Sequence, residues 1–288
     1  SSAASDVYKR QGILSMALAN FDSWVHSPRT VLMLLFIIAI CYLQMCGYKM
    51  TLNETGYTMH MGETLFYEFN FGCNMPMTTA LFLIMVSELP RKIAYQQYSL
   101  IRSSRWKWMV AQILYCFMMV AAMVALILIC IAIQALQVVT PGTGWSDIIR
   151  IAEKAIEPEE ALVAQYILNQ FTPFTALLLA ILPMFCFWFT MVLVILMFGV
   201  WGASVVGVMV YAFIMVAHVI IYFEYFPFPM SMPMHFSTLR DIVSGVEDGM
   251  QLQEVARVMG GYAALIAGII AVMLVSVKKV DMSFSNEK

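Results

Sequence analysis

From Ala161 to Phe223 the chain carries no Asp, Glu, Lys or Arg. A bilayer crossing needs about 20 predominantly apolar residues, so this stretch is long enough for two. The turn between them falls at Gly-Val-Trp-Gly-Ala-Ser, residues 199–204. A helix on a water-soluble core keeps one polar face, and here no face carries a charge. Further apolar runs at about 30–47, 69–87, 109–138 and 258–277 join the pair at 174–200 and 202–223. The pattern predicts an all-α integral membrane protein with six transmembrane helices. Runs three and four exceed a minimal crossing, which predicts tilt or extension beyond the bilayer. Pro183 falls inside the fourth and predicts a kink, because it removes one backbone hydrogen bond. A closed barrel would need alternating apolar and polar residues, which continuous runs lack.

The segments flanking these runs have their own character. Residues 12–29 place Leu14, Leu18, Phe21 and Val25 on one helical stripe, with Ser15, Asp22 and His26 elsewhere. That amphipathic pattern predicts an interfacial helix along the membrane surface, with Trp24 at headgroup level. Ser27-Pro28 separates it from the first apolar run, since the residue before proline avoids the helical region. Asp6–Gln11 resembles a translated adapter end, and residues 1–11 read as an adapter-derived or disordered tail, set apart from the fold. Residues 30–280 form the six-helix domain and 281–288 a polar tail.

Composition agrees with the pattern. The chain is 61% hydrophobic and 12% charged, against about 25% charged in a soluble domain. Charge then orients the helices, because Lys and Arg are retained on the cytoplasmic side. One set of connections holds Arg29, Arg91, Lys92, Arg102, Arg105, Lys107, Lys278, Lys279 and Lys288. The other holds Lys49, Arg150, Lys154, Arg240 and Arg257 over three longer loops, together with most of the Asp and Glu. Both termini are therefore expected in the cytoplasm, and no nucleic-acid partner is expected.

The most basic connection runs from Ser87 to Trp108, between the second and third apolar runs. Ser87 and Pro90 suit the first turn of a short helix. On it Ile93, Tyr95, Tyr98 and Ile101 offer aromatic and apolar contacts suited to docking a protein. Ser103 or Ser104 then caps the third span, with Trp106 and Trp108 as interface anchors. Enforcing topology accounts for the Arg and Lys residues, but not for two Tyr, two Gln and an inserted helix where a few residues would connect the spans.

With its Pro-Arg-Lys, Tyr-Gln-Gln-Tyr and Arg-Ser-Ser-Arg elements, this loop resembles the segment between spans two and three in permease subunits of type-two ATP-binding-cassette (ABC) exporters, small bacterial members in particular. The order of interfacial helix, six spans, coupling helix in this loop and outer segment before the last span is similar too. The resemblance implies a subunit without catalysis of its own, paired with a second permease subunit and receiving a separate ATPase subunit on the coupling helix. Glu88, Arg91, Lys92, Tyr95, Gln96, Tyr98 and Arg102 are the implied contacts. The chain has no Gly-x-x-x-x-Gly-Lys-Ser/Thr phosphate loop. ATP and Mg are thus expected on the partner, with no cofactor or metal in this chain. A bacterial inner-membrane location follows from the same resemblance.

On the opposite side, residues 146–170 read as one or two amphipathic helices interrupted at Pro158. Residues 224–257 open on a proline-rich stretch that precludes a regular helix, then predict a short helix near Ser237–Val246. In the family this region carries short outer helices; a solvated acidic loop is the plain alternative. His60 with Glu63, and His235 with Glu224, are too few ligands for a metal site. The six Cys lie in or beside apolar runs without a zinc or redox spacing. His218, the one readily ionisable group inside an interior span, is a candidate pathway residue. The 25 Met suit lipid-facing and interhelical filling. Glycines at 202, 260, 261 and 268 favour close helix approach, within the chain or in a dimer. The rival functions are an ion-gradient-driven secondary transporter and a non-transporting anchor or sensor. The former usually needs carboxylates deep in the spans, and the apolar runs contain none.

Overall fold

The apolar runs fold as helices whose ends are set by local polar residues. The computed structural model describes residues 12–56, 58–70, 74–90, 104–136, 139–147, 149–150, 165–222, 235–243 and 250–277. Helix α1 spans Ile13–Val25 and α2 spans Pro28–Thr55. Ser27 divides them as expected: its Oγ accepts from the Thr30 N–H at 3.2 Å, and Pro28 takes the first helical position. Gly56 ends α2 at φ 69°, donating its N–H to the Leu52 carbonyl at 2.9 Å. Then follow α3 (Met61–Asn70), α4 (Asn74–Val86) and α5 (Arg105–Ala135). Ser104 caps α5, accepting from the Lys107 N–H at 3.4 Å. After α6 (Gln165–Gln170) come α7 (Pro173–Val200) and α8 (Ser204–Tyr222). A 3-10 turn at His235–Ser237, α9 (Leu239–Val243) and α10 (Gln251–Ser276) complete the order.

Among the described residues every regular element is helical, with one isolated extended pairing between His60 and Thr140. Four helices are long and apolar enough to cross a membrane: α2 over Pro28–Gly47, α5, α7 and α10. Apolar stretches at Met75–Val86 in α4 and Ser204–Ile220 in α8 are shorter. Of the second expected run, 69–87, the described residues give the end of α3 and, from Asn74, helix α4 with Pro76 in its first described turn; residues 71–73 lie outside the described residues.

Residues 48–68, expected in an outer loop, instead extend α2 and form α3, on which Gly62 through Tyr67 and Phe69 are buried. The aromatic and aliphatic positions of α3 cover α7 and α5. Likewise α10 starts at Gln251 rather than near Val258, with Glu254 and Arg257 paired in its first turns.

Helix α7 is the centre of the bundle. It packs on α3, α4, α5, α8 and α10 and is the most enclosed of the four long helices, whereas α10 is the least. Trp188 on α7 donates from Nε1 to Thr79 Oγ1 of α4 at 2.9 Å, with Phe82 5.3 Å away by ring centroids. Gly207 lets α8 approach closely: a Cβ there would lie 2.9 Å from the Ile195 Cα. Many methionines, including Met109, Met119, Met123, Met184 and Met191, fill the core.

Helix α1 lies along α5 on a face beside the predicted apolar stripe. It buries Met16, Ala17, Asn20 and Trp24, leaving Leu14 and Leu18 exposed. Trp24 and Trp108 turn into the core, while Trp106 is exposed as an interface anchor should be. Packing between α1 and α5 thus competes with the interface for the indole rings, and wins at two of the three.

The connections alternate between two ends. One end gathers the starts of α2 and α5, the end of α4 and the turn between α7 and α8, as contacts of Arg29 with Glu88 and of Leu89 with Gly199 show. Its described charges include Arg29, Arg105 and Lys107. The opposite end gathers the start of α3, residues 139–150, α6 and the start of α7.

Candidate functional site at the basic end

The loop singled out by sequence is described at its two edges, Ser87–Pro90 and from Ser104 onward. Arg91, Lys92, Tyr95, Gln96, Tyr98 and Arg102 lie outside the described residues. Glu88 is described, and it is engaged. Arg29 Nη1, in the first turn of α2, lies 2.8 Å from Glu88 Oε1 and donates to Ser87 Oγ at 3.1 Å. Ser87 Oγ in turn donates to the Ile84 carbonyl at 2.8 Å, and the Leu89 N–H to the Val86 carbonyl at 3.2 Å. Both members of the ion pair are about half exposed, so the pair is worth at most about 1 kcal/mol. Its effect is geometric: it ties the α1–α2 elbow to the loop entry. Sequence pointed to Glu88 as a partner contact; its intramolecular pairing with a residue 59 positions earlier carries no local signal.

Leu89 is 2% exposed. Gly199, in the last turn of α7, sits directly beneath it: a Cβ there would lie 2.5 Å from Pro90 Cδ and 2.9 Å from the Leu89 carbonyl carbon. Three residues on, Gly202 adopts φ 79°. Its N–H bonds the Gly199 carbonyl at 3.1 Å and the Ala203 N–H bonds the Phe198 carbonyl at 2.8 Å. This is the paired C-terminal cap that a left-handed glycine makes. The turn expected at 199–204 is therefore present, with its two glycines in different roles.

The opposite end is organised by Glu63, which is 0% exposed. Its Oε2 accepts from the His60 N–H at 2.7 Å, the reciprocal half of a capping box at the start of α3. Its Oε1 accepts from the Ser146 N–H, where a helical turn begins with the Arg150 N–H bonded to the Ser146 carbonyl. One carboxylate therefore caps the start of α3, where partial positive charge favours it, and also holds the Ser146 N–H. His60 donates from Nδ1 to the Gly144 carbonyl at 2.6 Å and lies 3.8 Å from Glu63 Oε1. Trp145 donates to the Phe171 carbonyl at 2.8 Å and meets Phe66 edge-on. The sequence paired His60 with Glu63 only by spacing; their shared hold on residues 140–146 required the fold.

Both Glu63 oxygens and His60 Nδ1 already bond backbone groups, and among the described residues no three His, Cys, Asp or Glu gather as metal ligands. Glu224 lies outside the described residues. Among the described residues Cys41, Cys46, Cys116, Cys130 and Cys186 form no disulfide, and Cys73 lies outside them. His218 is buried on α8, fourteen residues beyond Ser204 and so about 21 Å along the axis from the α7–α8 turn at 1.5 Å per residue. It is not part of the basic-end site. Comparison of the chain with protein-family models, with curated proteins and with solved structures gives no match.

Proposed function

We propose that this chain is the membrane-spanning permease subunit of an ABC exporter, working with a second permease subunit and a separate ATPase subunit. The observation that carries the reading is the basic, tyrosine-bearing loop between residues 87 and 108. Its described entry is anchored at once to α2, α4 and the α7–α8 turn. A loop that only reverses the chain needs no such attachment. A loop that receives a partner must hand displacement to the helices. Glu88 positions the entry through Arg29, leaving Arg91, Lys92, Tyr95, Gln96, Tyr98 and Arg102 as the proposed contacts.

In this reading α2, α4 preceded by α3, α5, α7, α8 and α10 make six crossings in a bacterial inner membrane. The basic end and both termini face the cytoplasm. Helix α1 lies at the interface with Leu14 and Leu18 toward lipid. ATP and Mg belong to the partner. The secondary-transporter alternative needs a carboxylate available to an ion at mid-membrane. The buried Glu63 stands at a helix start and is committed to two backbone donors, so it does not supply one.

A second copy has a surface to meet. Gly260, Ala264 and Gly268 recur every four residues on α10 and are exposed, and among the described residues nothing lies within 4 Å of a Cβ built on either glycine. Small residues at this spacing allow helices of two subunits to pack closely in lipid. The test is purification of the tagged chain from its native membranes in mild detergent. A phosphate-loop ATPase should accompany it in stoichiometric amount. Recovery of the chain without any such ATPase would refute the assignment.

A further inference from the structure

The contact between the loop entry and Gly199 is backbone against backbone. The Leu89 carbonyl and the Pro90 ring press on the Gly199 Cα, and a methyl group there would have to displace the Leu89 peptide. Such a contact is stiff, because neither a carbonyl nor a helical Cα rotates away as a side chain does. The Gly199 carbonyl is also the acceptor for Gly202, which closes the α7–α8 turn. The group touched by the loop entry is thus part of the hairpin cap.

We propose that Gly199 is a positioning residue, the seat through which displacement of the loop entry at Leu89 and Pro90 passes to the α7–α8 hairpin. The source of that displacement, an ATPase partner, rests on the permease reading; the seat itself is a property of this chain. The Arg29–Glu88 pair holds the entry in register, while Gly199 takes the load.

Gly199→Ala tests the seat cleanly. Alanine favours a helix over glycine by up to about 1 kcal/mol, so α7 should persist while the added methyl lifts Leu89 away. Gly47→Ala is the control, since no described atom lies within 4 Å of a Cβ built there. In the purified chain, Pro90→Ala, which takes the ring away from Gly199, should speed amide exchange at Gly202 and Ala203 several-fold. The same change in a Gly199→Ala background should add nothing further. Unmoved hairpin amides in Pro90→Ala, or additive effects of the two substitutions, would overturn the seat.

In the ATPase complex, ATP with vanadate should change the labelling rate of an introduced Val205→Cys at the start of α8. Gly199→Ala should abolish that response while the ATPase stays bound, and Gly47→Ala should leave it intact. A wild-type response in Gly199→Ala would overturn transmission through this residue. If no ATPase binds the unmodified chain, the permease reading falls, and the exchange result alone decides the seat.

Discussion

Glu63 ties the start of α3 to Ser146 at the end opposite the basic one. A carboxylate that accepts from two backbone donors while fully buried leaves both donors unsatisfied when it is removed. Each such loss costs about 1–3 kcal/mol, so Glu63→Ala should destabilise the fold by about 2–6 kcal/mol. Thermal unfolding in detergent reads this directly, and an unchanged midpoint would show that these two bonds are not formed. Glu63→Gln retains one acceptor and should fall between. Gly202 makes the complementary case at the basic end. Its positive φ costs a non-glycine residue about 1–2 kcal/mol, so Gly202→Ala should destabilise by about that amount in the same unfolding measurement. A Gly261→Ala change, in an open helical position, should not. Of these residues sequence exposed Gly202 plainly, because its role is local to one turn. It gave Glu63 only a neighbour at helical spacing, since the Ser146 donor is 83 positions away.

Helices were legible where their signals were local and incomplete where neighbours decided the outcome. Ser27-Pro28 and Ser104 started helices as capping rules require, and the α7–α8 turn fell at the glycines. Ser27→Ala should accordingly cost about 1 kcal/mol, seen as a lower unfolding midpoint. The extension of α2, the separate helix α3 and the early start of α10 were not legible. Their extra residues are polar or mixed and take up helix by packing on α7 and α5 or by pairing within their own first turn. Helix α1 shows the same competition. Its sequence presents one apolar stripe, yet contact with α5 selects a neighbouring face containing Asn20 and Trp24.

At the scale of the molecule, α7 is enclosed on most sides while α10 carries an open face of small residues. If that face meets a second subunit, Gly260→Leu with Gly268→Leu should reduce cross-linked dimer in native membranes. The unfolding midpoint of the single chain should not fall, because a Cβ at either glycine meets no described atom within 4 Å and leucine favours a helix over glycine. Undiminished dimer would move the subunit contact to another helix. The central claim concerns the basic loop, and ATP hydrolysis by the assembly purified from native membranes tests it most directly. Tyr95→Asp with Tyr98→Asp should abolish hydrolysis and release the ATPase while leaving the helical content of this chain intact. Hydrolysis at the wild-type rate by that double variant, with the ATPase still bound, would contradict it.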